Sequence, residues 1–241
     1  MKYATTALAI LMTLTAMSIA FADGSRDEVK VAIESLIGSK LPDAAVVESA
    51  TDGVYVINIS GTIYHALLKD SVLLIGEAFD LVRGVSLNEE ISNRGISAAV
   101  SDMSSENMII FAANDKRRHV TVFTDIDCSY CRRFHQEVPA LNDAGLEVRY
   151  VAYPRAGIGS SSYDKIVTVW CSDNPQQAMT RSKAGEVLPA LSCTNPVADH
   201  FQAGEDGGVR GTPTLVLDDG SVIGGYLPAN ELLIRIGLKD S

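Results

Sequence analysis

The 241-residue sequence predicts two units of different class joined by a helix: an α+β unit first, then an α/β unit. Three observations predict this. Residues 27–75 hold one helix-like stretch followed by short β-branched runs. Residues 86–103 carry a narrow apolar stripe on an otherwise polar helix. From Val120 onward the pattern reads strand, helix, strand, then several helices, then two strands and a closing helix.

The extreme N-terminus is set apart from both units. Lys2 gives a short positive region, residues 7–19 are apolar and uncharged, and Ala20-Phe21-Ala22 fits a small-x-small cleavage site. Residues 1–22 therefore read as a cleavable secretory signal, with the mature chain starting near Asp23. The uncharged run from Tyr3 to Ala22 is also long enough for a single membrane span. Its Thr and Ser content and its ending favour cleavage. No later stretch is long and apolar enough to span, so no membrane insertion of the mature chain is expected.

The first unit, residues 23–85, opens with a helix over residues 27–41. Val29, Ile33, Leu36 and Ile37 recur at helical spacing, and Gly38 and Pro42 end the run. Residues 54–59, 63–68 and 72–75 then read as a strand meander, with turns at Ser60-Gly61 and Lys69-Asp70. So short a unit buries little by itself, which makes pairing of strands from two copies the expected remedy.

Residues 86–107 read as a linker helix. Ser86 and Glu89 have capping-box spacing. Leu87, Ile91, Ile96, Ala99, Val100 and Met103 form the narrow stripe, interrupted by Gly95, and a helix of this kind is expected to be exposed on most of its surface, the alternative being a helix packed into one compact core.

In residues 108–241, Val120 to Thr124 is a strand of buried type. A helix follows through Phe134, Val138 and Leu141, kinked at Pro139 and stopped at Gly145. Leu146 to Tyr153 returns as a strand, giving a right-handed βαβ crossover. Residues 160–183 are helical with a break near Asn174-Pro175, and residues 199–204 form a short helix. Residues 214–217 and 221–225 pair as a hairpin across Asp218-Asp219-Gly220, and residues 230–238 close the chain as a helix. This order is that of a thioredoxin-like core with a helical insertion.

Composition narrows the partners and the compartment. The formal charge is -10, and no basic patch interleaved with aromatics is present, which argues against nucleic acid. All four cysteines, Cys128, Cys131, Cys171 and Cys193, lie in the second half. An even count behind a secretory signal implies an oxidising compartment and two bridges.

Cys128-Ser129-Tyr130-Cys131 falls between a strand and a helix. Unpaired N–H groups and the macrodipole at a helix start favour a thiolate at Cys128, which is the species thiol–disulfide exchange requires. Zinc would need four ligands, and Cys171 and Cys193 form no second close pair. An inert bridge leaves the strand–CxxC–helix placement unexplained. Redox chemistry is the reading adopted, with no metal and no cofactor. Cys128, expected nearer solvent, is the candidate nucleophile. Cys131, on the apolar stripe, is the candidate resolving thiol. Arg132, Arg133 and His135 are expected to add positive charge, and Asp127 to oppose them.

His135 reads equally as solvated, and His65, His119 and His200 as surface or packing residues. Gly211-Thr212-Pro213 precedes the hairpin. A proline there is a candidate cis bond, and the main chain before it can pair with an extended substrate by strand addition.

These residues resemble the periplasmic disulfide isomerases of the DsbC type, with DsbG as a relative. Phe123-Thr124-Asp125-x-x-Cys128-x-Tyr130-Cys131 is similar to that family's active-site block, and Val148-Arg149-Tyr150-x-Ala152-x-Pro154-Arg155 follows as in the family. Trp170-Cys171 and Ser192-Cys193 resemble its second, structural disulfide. Gly211-Thr212-Pro213 and Gly225-Tyr226 match its cis-proline loop and the segment after the hairpin. Tyr64, Gly76 and Asp80 match more loosely.

The resemblance implies a V-shaped homodimer joined through cystatin-like N-terminal domains, with misfolded disulfide-containing periplasmic proteins held in the cleft. It also implies chaperone activity, substrate contacts at Thr212, Pro213 and Tyr130, and a membrane reductase of the DsbD type that keeps Cys128 and Cys131 reduced. Ser129 and Asp127 depart from the family pattern and leave the balance between isomerase, reductase and oxidase open. The alternatives are a thiol oxidase, a DsbG-like reductase of sulfenylated or misfolded periplasmic proteins, and a non-enzymatic chaperone.

Overall fold

The structure, a computed structural model, describes residues 26–41, 46–51, 54–59, 62–67, 70 and 72–240. The expected signal segment, Pro42 and the Ser60-Gly61 turn lie outside the described residues.

Helix α1 (Arg26–Ile37) starts with Asp27 and Glu28 in its first turn, where the positive end of the dipole favours carboxylates. Val29 and Ile33, one turn apart, are buried with Leu41, Ile57 and Ala66. Glu34 fixes the helix end by accepting from Leu41 N at 3.0 Å. The face they pack on is an antiparallel meander of β1 (Val46–Thr51), β2 (Val54–Ile59), β3 (Thr62–Leu67) and β4 (Val72–Ile75), in that order. Strand β1 was not expected, because Glu48, Ser49 and Ala50 dilute its β-branched start. Strand β4 ends the sheet with Val72, Leu74 and Ile75 exposed.

A two-residue ladder, β5 (Phe79–Asp80) with β6 (Val85–Ser86), leads into the next helix. Asp80 builds its turn: one carboxylate oxygen accepts from the backbone N–H groups of Val82 and Arg83, both at 2.9 Å.

Helix α2 (Leu87–Ser101) is capped by Ser86, whose hydroxyl accepts from Glu89 N at 3.1 Å. The expectation of a mostly exposed connector is corrected. Leu87, Asn88, Ile91 and Ile96 are buried, and most other positions are half-buried. Gly95, read from sequence as an interruption, is the contact point. A Cβ there would lie 2.7 Å from Gly207 O, so α2 and α6 (Val197–Gly207) approach backbone to backbone. Ile96 thereby enters a cluster with Phe123, Val151, Tyr153, Val209 and Val216.

The second unit is built on a five-stranded sheet ordered β11-β10-β8-β9-β7. Strand β8 (Arg118–Thr124) runs parallel to β9 (Leu146–Ala152), with α3 (Ser129–Asp143) as the crossover. Strands β10 (Thr214–Leu217) and β11 (Val222–Gly224) form the expected hairpin, antiparallel to β8. Strand β7 (Ile109–Phe111), too short to be read from periodicity, pairs antiparallel with β9. Both faces of β8 and β9 are covered, so that Thr121, Thr124 and Glu147 are buried along with the apolar residues.

Helices α4 (Ser161–Trp170), α5 (Pro175–Lys183) and α6 form the insertion, and α7 (Ala229–Arg235) closes the fold. Asn174 caps α5 by accepting from Gln177 N at 3.0 Å, and Pro175 occupies its first turn, which places the break where the sequence put it. Helix α6 is longer than expected at both ends and α7 shorter, stopping just before Gly237 at φ 71°.

Candidate active site

Cys128 is the N-cap of α3, with extended backbone at φ -78°, ψ 119°. Its Sγ accepts from Cys131 N at 3.3 Å, as Ser or Asp oxygens do at other helix starts. Across the groove, the same sulfur lies 3.2 Å from the carbonyl oxygen of Thr212, and the Thr212–Pro213 peptide bond is cis. The expectation that Cys128 faces solvent is corrected: it is 2% exposed, because the Thr212–Pro213 loop lies over it.

Hydrogen bonding to Cys131 lowers the Cys128 pKa most. Burial opposes it, while Thr212, Cys131 N–H and the Arg155 charge add to it, and the thiol is brought down to about 5. Cys131 goes the other way. Burial, and then its hydrogen bond to Cys128, push it far above the ordinary thiol range. Two sulfurs in one CxxC are thus driven apart by their surroundings.

Asp125 holds the loop that presents Cys128. Burial raises its pKa, but hydrogen bonds from Ser162, Arg155 N, Asp127 N and the Arg155 side chain outweigh burial and leave it lowered. One carboxylate oxygen accepts from Asp127 N at 2.9 Å and from the Ser162 hydroxyl. The other accepts from Arg155 N at 3.0 Å and Arg155 Nε at 3.2 Å. The loop after β8 is thereby tied to the start of α4 and the segment after β9. Asp127, expected to oppose the thiolate, is itself paired with Lys165 at 2.8 Å and Arg132 at 3.3 Å.

Beneath Cys131 lies a second polar layer. Lys183, 4% exposed, donates to Thr124 Oγ1 and to Asp125 O, both at 2.7 Å. His135 is buried between Tyr150 Oη at 2.9 Å and Thr180 Oγ1 at 3.0 Å, and burial lowers its pKa to about 4. His135 is therefore neutral at pH 7, which corrects the expectation that it adds positive charge.

Tyr130, 57% exposed, stacks on Tyr226 with ring centroids 6.1 Å apart. Arg133 lies over the other ring at 5.3 Å from the Tyr226 centroid, and the Glu137 carboxylate accepts from Tyr226 Oη and Ala229 N. Cys171 and Cys193, 22 residues apart, are joined by a disulfide within the insertion, and Cys128 and Cys131 are free thiols.

Structure thus brings Cys128, Cys131, Thr212 and Pro213 together and sets Tyr130 at their rim. Asp125, Arg155 and Ser162 were missed as supporting residues. Asp125 and Arg155 stood inside quoted motifs, whereas Ser162 and Lys183 carry no local signal and reach the site only through packing of the insertion.

A thioredoxin-like domain model matches residues 105–237. Curated relatives agree. The chain is 30% identical to the thiol:disulfide interchange protein DsbC of Dickeya dadantii, over 94% of this chain and 92% of that one. It is 38% identical to the DsbC of Haemophilus influenzae, over 73% of this chain and 79% of that one. Among solved structures, a disulfide interchange protein from Neisseria gonorrhoeae is 31% identical with a TM-score of 0.50, covering 57% of this chain and all of that one. With a relative matched at that identity over nearly the whole chain, and a thioredoxin-like unit carrying the CxxC pair, the protein belongs to the DsbC family of thiol:disulfide interchange proteins.

Proposed function

We propose that this protein is a periplasmic disulfide isomerase in which Cys128 is the nucleophile and Cys131 the resolving thiol. One observation carries the reading: the Cys128 sulfur sits at a helix N-terminus, 3.2 Å from the main-chain carbonyl that precedes a cis-proline. The helix start and the hydrogen bond from Cys131 N stabilise a thiolate. The Thr212 main chain offers an extended substrate a strand to pair with, which brings a substrate disulfide beside the sulfur.

The Cys128 thiolate attacks one sulfur of a wrong disulfide. A mixed disulfide forms and the other substrate sulfur leaves as thiolate. That thiolate, or another in the substrate, then attacks the mixed disulfide and regenerates Cys128 with a rearranged bridge. If Cys131 attacks instead, the substrate leaves reduced and the enzyme holds a Cys128–Cys131 disulfide, which a membrane reductase of the DsbD type would reduce. Tyr130 and its stacked partner Tyr226 line the rim where substrate side chains arrive.

Residues 23–85 are the dimerisation domain in this reading, 86–107 the linker helix and 108–241 the catalytic domain, after a signal segment at 1–22. Strand β4 supports the dimer. It is an edge strand, and an edge with Val72, Leu74 and Ile75 exposed is one that a second copy can extend. The paired V-shape would enclose misfolded substrate and supply the chaperone activity.

The test is refolding of a scrambled disulfide protein with wild type and Cys128→Ala. Reshuffling should be lost in the variant, and undiminished reshuffling would remove Cys128 from the mechanism. Sedimentation at micromolar concentration should give the mass of two chains. Trapping the thiols in the native compartment should find Cys128 and Cys131 reduced; finding them oxidised would favour the oxidase alternative.

A further inference from the structure

Tyr153 has no role in the exchange reaction as described so far. It is the first residue after β9 and is buried, 4% exposed. Its ring is fixed on several sides. It stands perpendicular to Phe123 with centroids 6.0 Å apart and tilts against Phe201 at 5.2 Å. It also lies so close to α6 that a Cβ on Gly204 would be 2.7 Å from the ring. A side chain packed this tightly holds its hydroxyl in one position.

That position is beside the segment leading to the cis-proline. Tyr153 Oη donates to Val209 O at 2.6 Å and to the Glu205 carboxylate, so its single hydrogen serves two acceptors in a three-centre bond. Burial, and then Glu205, push the phenol above its ordinary range, so the hydroxyl keeps that hydrogen. Val209 N donates to Gly204 O at 2.8 Å, so both polar groups of the Val209 main chain are held. Thr212, whose carbonyl oxygen faces Cys128, follows three residues later. Beyond it, Pro213 O accepts from Gly225 N at 2.8 Å and Thr214 opens β10. The sheet fixes this loop downstream, and the Val209 anchor fixes it upstream. Gly211 lies between, where a Cβ would meet nothing within 4 Å.

The main chain of Tyr153 reaches the opposite wall of the groove. Tyr153 N donates to Thr124 O at 2.9 Å, directly before the loop that presents Cys128, and Arg155 nearby holds Asp125 in that loop. One residue thus ties the Cys128 side through its backbone and the Thr212 side through its hydroxyl. We propose that Tyr153 is a positioning residue for the substrate strand: its hydroxyl fixes the main chain before Thr212 where an extended polypeptide can pair with it beside Cys128. Strand addition is tighter when the receiving edge is already ordered, because binding then bears no cost of ordering it. A disulfide without a main chain to pair makes no use of this edge, and the Tyr153 hydroxyl contributes nothing to its reaction.

This role rests on strand addition at Thr212, and one experiment separates the two. Reduced full-length protein reacts with an extended peptide whose cysteine carries a nitrobenzoate thiol as leaving group, and with the same peptide methylated on the main-chain nitrogens flanking that cysteine. Both release the same coloured thiolate when Cys128 attacks, but the methylated peptide lacks the N–H groups that pair. Dithiobis(nitrobenzoate), which has no main chain, reports on the Cys128 sulfur alone. Tyr153→Phe keeps the ring and removes only the hydroxyl. The preference for the unmethylated peptide should fall about fivefold in Tyr153→Phe, what the loss of one hydrogen bond costs. The rate with dithiobis(nitrobenzoate) should match wild type. An unchanged preference, even with a lower urea midpoint, would make the hydroxyl a packing feature only and overturn the proposal, as would equal slowing with all three disulfides. No preference for the unmethylated peptide in wild type would instead defeat strand addition at Thr212.

Discussion

Gly95 and Gly207 meet where α2 crosses α6, so closely that a Cβ on Gly95 would stand 2.7 Å from the Gly207 carbonyl oxygen. The contact docks α2 onto the thioredoxin-like unit and buries Ile96 beside Phe123. Neither side of this contact is a flexible side chain, so nothing can move aside cheaply. Gly95→Ala should therefore lower stability by about 1–3 kcal/mol, the ordinary cost of overpacking. Urea unfolding would show a lower midpoint. A variant as stable as wild type would mean that α2 is loosely docked.

That contact also marks where the sequence stopped being legible. Strands β8 and β9, the hairpin, the CxxC cap and the break at Pro175 all carry local signals, and each was read in place. The orientation of α2 depends on a residue 112 positions away, and a lone glycine in a helical run reads equally as a flaw or as a contact. Burial of Cys128 was misread for the same reason: the Thr212 loop that covers it arrives from 84 residues downstream. His135 sits on the inward side of α3, but its neutrality follows first from burial, between Tyr150 of β9 and Thr180 of α5, and then from the charge of Lys183, also on α5.

The Cys128 thiol should alkylate with a pH midpoint near 5, since hydrogen bonding to Cys131, then Thr212, outweighs burial. Its folded value lies below the unfolded one of about 8.5. The thiolate therefore contributes stability in full above that unfolded value, and the contribution is lost as pH falls toward 5. Reduced wild type should gain stability over Cys128→Ser between pH 5 and 8.5, and the two should converge below pH 5. Iodoacetamide rates and urea midpoints across that range would test both statements. A midpoint near 8.5 would show that the helix start does not tune this sulfur.

Asp125→Ala should be the most damaging substitution outside the cysteines. It leaves Ser162, Asp127 N and Arg155 N without their shared acceptor. Breaking a buried charged network of this kind costs about 3–5 kcal/mol. The lowered carboxyl value means the contribution is present above about pH 4 and lost as pH falls through the folded value. The stability gap between wild type and variant should thus be full at pH 6 and shrink below pH 4. A gap that stays constant to pH 2 would show that the carboxylate charge is not what holds the loop.

The Cys171–Cys193 bridge should behave as structure and the CxxC pair as chemistry. The bridge closes 22 residues between the end of α4 and the start of α6, around α5, which carries Lys183. Chain-entropy arguments assign about 3 kcal/mol to a loop of that length. The double variant Cys171→Ala, Cys193→Ala should lose about that much, read as a lower urea midpoint. In a glutathione titration of wild type, Cys128–Cys131 should be reduced while Cys171–Cys193 persists. Reduction of both at the same potential would contradict this division of roles.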